Sequence, residues 1–265
     1  MILSMTNNKG GCGKTTTAVN LAAALRSRGF DVLAVDLDGQ ANLTATLGVE
    51  VGTGPTMYDA MRRPNAPYIA PVRVLGPDVG AGVLDVLPAC VDLSACESEL
   101  STAPDRVGRL GAFLKQYGEK YDVTIIDTPP ALGLLTVSAL FAADETIITV
   151  QPQYLAVQGL IRLTETIRKI NASRPQDLNA RVLFTQYDRR KGLHRLTVEQ
   201  VHGAGFPVFA TIIRDNVALG ESPAVGLDIF RYAPRSNGAA DYNALCSEFL
   251  RGAKLRHKAH GYRKQ

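Results

Sequence analysis

Between an apolar opening, Ile2-Leu3-Ser4-Met5, and an amphipathic stretch with Val19, Leu21, Ala22 and Leu25, the chain reads Lys9-Gly10-Gly11-Cys12-Gly13-Lys14-Thr15-Thr16. Strand, tight loop and helix start, in that order, are what a nucleotide phosphate site requires. The glycines let backbone N–H groups turn inward, where they and the positive end of the helix meet phosphate. Lys14 then falls against the β- and γ-phosphates, and the Thr15 hydroxyl falls at Mg²⁺. The common form of this motif wants glycine where the chain has Asn8, so the pattern fits only as a variant with an additional lysine, Lys9. A bare glycine turn is the alternative, but two lysines and two threonines at these spacings argue against it.

The remaining apolar runs set the fold class. Ile2–Asn7, Asp31–Leu37, Val83–Leu87, Val123–Asp127, Thr146–Val150, Arg181–Thr185 and Val208–Ile213 read as strands. Several are apolar throughout, the mark of strands covered on both faces of a mostly parallel sheet. Helical stretches over 14–28, 105–118, 132–143, 155–171, 193–204 and 238–255 alternate with them. Alternation of this kind predicts a doubly wound α/β fold with right-handed crossovers, its ligand beyond the carboxyl ends of the strands. Residues 50–80, rich in glycine and proline, read as loops around short helical pieces.

Composition excludes several classes. With 46% hydrophobic and 20% charged residues, the 265-residue chain suits a globular domain able to bury a full core. No apolar run has the length of a membrane span, and no secretory leader pattern precedes the first strand, so a cytoplasmic protein is expected. Cys12, Cys90, Cys96 and Cys246 form no CxxC pair, which suggests reduced thiols. Charge is uneven: residues 251–265 hold six basic side chains and no carboxylate, and the first 250 carry 23 basic against 25 acidic residues. We read 1–253 as one domain and 254–265 as a flexible basic tail. Lys254, Arg256 and Lys258 there form either a solvated terminus or a phosphate-binding arm. A second cluster, Arg189-Arg190-Lys191 with His194 and Arg195, follows Tyr187-Asp188. It reads as a solvated helix start or as part of the same anion-binding face.

Two more strand ends carry carboxylates. Val35-Asp36-Leu37-Asp38-Gly39-Gln40 closes the second predicted strand, and alternation puts Asp36 and Asp38 on one side of an extended chain. Asp127 closes Val123-Thr124-Ile125-Ile126 and precedes Thr128-Pro129-Pro130. Phosphoryl transfer to water needs a held metal and a positioned water.

Together these motifs resemble the ParA/MinD family of deviant Walker ATPases over nearly the whole chain. The resemblance implies Mg²⁺-dependent ATP hydrolysis and assigns the extra lysine, Lys9, to the nucleotide of a sister subunit, so that the site is complete only in an ATP-bound homodimer. It makes Asp38 the water-positioning residue, in a first switch whose usual proline is replaced by Gly39. Asp36 lies around Mg²⁺ beyond its direct ligands, and Asp127 is the Walker B aspartate leading into the second switch. Arg214-Asp215-Asn216 resembles the loop that frames adenine, although the family often has Pro-Arg-Asn there. Within the family, a ParA/Soj-type segregation ATPase is the reading favoured, with nonspecific binding of double-stranded DNA, nucleoid association and a ParB-like partner. With the phosphate loop so near residue 1, no N-terminal operator-reading domain is expected. The MinD-type alternative replaces DNA with membrane, but the end of the chain offers only Leu255 and Tyr262 as sizeable apolar groups. An iron–sulfur reductase branch would need cysteines that do not follow the second switch. Positioning of another cytoplasmic cargo stays open.

Overall fold

A computed structural model describes residues 1–52, 54–63, 65–253 and 255. The predicted tail, with Lys254, Arg256 and Lys258, lies outside the described residues apart from Leu255. In chain order the elements are β1 (Ile2–Thr6), α1 (Lys14–Ser27), β2 (Val32–Asp36), α2 (Asn42–Thr46), α3 (Met57–Arg62), β3 (Val72–Leu75) and β4 (Leu84–Leu87). There follow α4 (Cys96–Glu99), α5 (Arg109–Leu114), β5 (Val123–Asp127), α6 (Leu134–Ala142), β6 (Glu145–Val150), α7 (Ala156–Asn171) and β7 (Asn179–Phe184). The chain closes with α8 (Gly192–Gly203), α9 (Val217–Glu221), α10 (Ile229–Tyr232) and α11 (Asn237–Gly252).

The apolar runs pair side by side because they have no polar face to give to water. Their order is β3-β4-β2-β5-β1-β6-β7, parallel except where β3 runs against β4. From β1 the chain passes to β2 on one side, and from β5 it crosses β1 to reach β6 on the other. The loops after these strands therefore part above β1, and a crevice opens at their carboxyl ends. The phosphate loop sits there.

Helix α1 differs from its sequence reading. It is buried on nearly every side from Thr17 to Leu25, not along one stripe. Its small residues Ala18, Ala22 and Ala24 let it lie close to the sheet, while α11 covers its outer side with Tyr242, Leu245 and Phe249 in the same core cluster. On the opposite face of the sheet, Phe113, Tyr117 and Leu135 centre one cluster, and Leu160, Leu163, Phe184 and Val201 another.

Three element boundaries need correction. Val208–Ile213 is not a strand. It meets β7 only at its two ends, by the Val182–Val208 bridge and by the Ile213 amide on the Phe184 carbonyl at 2.9 Å, and between them the Ala210 and Thr211 amides donate to the Glu248 carboxylate of α11 at 2.7 and 2.8 Å. The helix expected over 105–118 is regular only as α5, with a short 3₁₀ turn at Lys115–Tyr117. Within the loop region, β3 adds an antiparallel edge held to β4 by the Arg73–Asp85 ion pair.

Candidate nucleotide site

The loop between β1 and α1 has the conformation that its glycines permit. Gly11 and Gly13 lie in the left-handed region, at φ +68° and +83°, where a Cβ is strained. Gly13 is also the residue on which α1 starts, with no side-chain cap on the helix's free amides. Two residues just beyond β7 hold the loop from behind. Thr185 Oγ1 donates to the Cys12 carbonyl and Gln186 Nε2 to the Gly11 carbonyl, both at 2.8 Å. The sequence reading missed both, although their place at a strand's carboxyl end was a usable signal. Cys12 is buried, and its Sγ donates to the Lys9 carbonyl at 3.1 Å, a packing role within the loop.

The two lysines have opposite settings. Lys14 is buried and donates to the Lys9 carbonyl at 3.1 Å, inside the curl of Gly10, Gly11 and Gly13. Lys9 is exposed, and its ammonium donates to Gln151 Oε1 at 3.3 Å and to Gln153 Oε1 just past β6. One cation faces its own loop; the other faces away from it.

Asp36 and Asp127 are register partners at the ends of adjacent parallel strands. Thr15 Oγ1 donates to Asp127 Oδ2 at 2.6 Å, while Asp127 Oδ1 is buried and has no partner. Burial, with Asp36 alongside, pushes Asp127 up to about 8. Asp36 is satisfied on both oxygens, by the Asp38 amide at 3.1 Å and by the Thr44 amide and hydroxyl at 2.9 and 2.7 Å. Burial nevertheless raises it to about 6, against those hydrogen bonds. A buried carboxylate oxygen without a donor, beside a second carboxylate and a threonine hydroxyl, is a setting that a hard divalent cation would relieve. Asp127 and Thr15 could reach such an ion, whereas each Asp36 oxygen already accepts a hydrogen bond, from Asp38 or from Thr44. Asp38 is half-buried, lies past the end of β2, and holds the Gln40 amide at 3.0 Å.

On the far side of the loop, a cavity of about 160 Å³ is lined by Gly13, Thr16, Thr185, Arg214, Asp215 and Asn216 among others. Its outer residues are committed locally. Arg214 pairs with Asp241 at 2.6 Å, and the Asn216 side chain caps α9 through the Ala218 amide at 2.9 Å. Asp215 is exposed. Beyond lies a wider groove of about 750 Å³, rimmed by Tyr187, Arg189, Arg190 and Asn237. Within the basic cluster, Arg190 is tied to Asp188 at 2.9 Å, and Arg189, Lys191 and Arg195 are exposed. His194 is not part of that cationic face. It is buried, accepts the Asp188 amide on Nδ1 at 3.1 Å, and its pKa is held low by burial and by Lys191.

A glycine loop at a helix start, a buried lysine aimed into it and paired carboxylates on neighbouring strand ends define a P-loop nucleotide hydrolase. Residues 1–180 match the model of the family described as AAA domain. Over 254 residues the chain is 39% identical to the chromosome partitioning protein ParA of Myxococcus xanthus, covering 94% of this chain and 88% of the relative. It is 38% identical over 250 residues to the chromosome-partitioning ATPase Soj of Treponema pallidum, covering 94% and 96%. A structure of the Mycobacterium smegmatis protein named cobyrinic acid a,c-diamide synthase, with bound ATP analogue and magnesium, superposes with a TM-score of 0.79 at 31% identity, covering 97% and 98% of the two chains. The chain belongs to the ParA/Soj-type partition ATPases.

Proposed function

We propose that this ATPase binds ATP with Mg²⁺ in the crevice above β1, dimerises through that nucleotide, and in that form holds double-stranded DNA without sequence preference. The observation that carries the reading is the split between Lys14, buried in its own loop, and Lys9, exposed and held by two glutamines.

In this reading the loop amides of Gly10 to Thr16 bind the phosphates. The Lys14 ammonium exchanges its bond to the Lys9 carbonyl for the β- and γ-phosphates, a charge-assisted contact. Lys9 crosses to the nucleotide of the sister subunit. Asp127 and Thr15 would hold Mg²⁺, which would supply neutralising charge for the phosphates. Asp38 orients the attacking water, and Asp36 keeps the Asp38 amide in place. Cavity-lining residues, among them Thr16, Arg214, Asp215 and Asn216, form the base side of the nucleotide site. Arg189, Arg190, Lys191, Arg195 and the basic residues 254, 256 and 258 supply the DNA-facing charge. A ParB-like partner at the cargo stimulates hydrolysis and release, and the ATP-bound form resides on the nucleoid in the cytoplasm.

Among the described residues, no helix is long and apolar enough to cross a membrane. The deciding experiment is a fluorescence-anisotropy titration of arbitrary-sequence duplex DNA with ATP, ADP or no nucleotide. Binding that requires ATP and Mg²⁺ supports the reading. Recruitment to anionic vesicles without DNA binding would replace it with the membrane alternative.

A further inference from the structure

At two glycines in the loops around the site, the place of a Cβ is taken by side-chain ends of one short segment, Ser94 at the first and Glu97 at the second. A side chain at Gly39, the residue after Asp38, would overlap Ser94 Oγ and would lie 3.2 Å from the Ser94 amide nitrogen and 3.3 Å from its Cβ. A side chain at Gly133, the residue on which α6 starts, would overlap the Glu97 carboxylate. Ser94 and Glu97 are three residues apart, on the 3₁₀ turn Val91–Ala95 and on α4, which continues from it. The segment is anchored between them. Leu93 and Cys96 are fully buried in the cluster that also holds Leu37, Ala41, Met57 and Leu135.

A third attachment lies just upstream. The Ala89 amide donates at 3.1 Å to Thr44 Oγ1, the hydroxyl that itself donates to Asp36. The far end is tied to α3, where the Tyr58 hydroxyl donates to Glu99 at 3.0 Å. A carboxylate at the amino end of the nine-residue α6, which has no acidic residue in its first turn, also opposes the positive end of that helix.

We propose that the segment 91–99 is a strut between the two loops, with Ser94 and Glu97 as positioning residues. Ser94 sets the height of the loop carrying Asp38, and Glu97 sets the start of α6, which follows the strand end carrying Asp127. A displacement of one loop is therefore passed to the other by exposed side chains on a segment whose Leu93 and Cys96 are fixed in the core. Gly39 stands where the resembled family has proline, and here the glycine and Ser94 are a matched pair. The inference rests on the ATPase reading for its consequence, the placing of Asp38, but not for the coupling itself.

The test separates the two. Hydrogen–deuterium exchange is measured on the nucleotide-free protein as wild type, Gly39→Ala, Glu97→Ala and the double variant. Gly39→Ala should speed exchange about tenfold over residues 36–44 and also over 131–140. With Glu97→Ala in the background, its effect on 131–140 should vanish and its effect on 36–44 should stay. An effect confined to 36–44 with Glu97 intact, or one reaching 131–140 equally without Glu97, overturns the strut. In ATP turnover, Gly39→Ala should lower kcat about tenfold with KM unchanged, and Ser94→Gly in that background should restore it to within about threefold. A kcat that Ser94→Gly fails to restore overturns the Ser94 role. Absence of turnover in the wild type would instead sink the ATPase reading and leave the exchange result to judge the strut.

Discussion

Thr15 Oγ1 donates to one oxygen of Asp127 at 2.6 Å and leaves the other oxygen buried with no donor. A strand interior does not ordinarily keep such a group, because ionising a buried carboxyl without a partner is costly, and here that cost raises its pKa to about 8. Its place at the mouth of the phosphate loop makes that cost the counterpart of cation binding.

Because burial raises Asp127 to about 8, Asp127→Asn removes a buried charge only above that pH, and at pH 9 it should raise the melting temperature of the metal-free protein by about 2–4 °C, the shift about 1 kcal/mol produces at this size. The same variant should lose the gain in ATP affinity that Mg²⁺ gives the wild type. Calorimetric melts with EDTA, and ATP titrations with and without Mg²⁺, check the two halves. A variant that melts lower and keeps its Mg²⁺ response would show Asp127 to be a structural acid.

Besides the water-positioning role proposed for it, Asp38 holds the Gln40 amide through its side chain at 3.0 Å. Asp38→Asn keeps an oxygen for that bond and loses only the carboxylate, so it isolates the chemical role. Partner-stimulated hydrolysis should fall about 10²–10⁴-fold in Asp38→Asn. ATP affinity should stay within about threefold, because Lys14, Thr15 and the loop amides are untouched. Near wild-type turnover in Asp38→Asn would remove Asp38 from the water-positioning role.

Charge on the side proposed to face DNA is not uniformly free. All three arginines are exposed, but Arg190 is paired with Asp188, whereas Arg189 and Arg195 make no ion pair among the described residues. Arg189→Ala with Arg195→Ala should therefore weaken DNA binding more than Arg190→Ala. Deleting residues 254–265 should flatten the salt dependence by about 0.9 in log–log slope for each phosphate that is no longer neutralised. Anisotropy titrations across several salt concentrations read both effects. Equal losses from Arg189 and Arg190 variants would place the DNA elsewhere.

Sequence legibility followed locality. The phosphate loop could be read because its glycines, lysines and threonines act within eight consecutive residues. The paired carboxylates could be read because Asp36 and Asp127 each close an apolar run. The strand expected at Val208–Ile213 failed because its β-like pattern says nothing of Glu248, which takes two of its amides from a helix 37 and 38 residues away. Strand β3 was missed because its four residues are exposed or half-exposed at the sheet edge and give no apolar run. Thr44 beneath Asp36, Gln186 behind Gly11, and Ser94 against Gly39 depend on approaches across the fold, and no local pattern announces them.

The most direct test of the central claim is the mass of the protein in solution, by light scattering, with ATP and Mg²⁺. The wild type should shift from monomer to dimer only with both present. Lys14→Ala should stay monomeric with ATP affinity reduced at least about 10²-fold, the loss of more than one charge-assisted bond. Lys9→Ala should bind ATP as a monomer and fail to dimerise, since its ammonium faces away from its own loop. A Lys9→Ala protein that dimerises like the wild type would contradict the account.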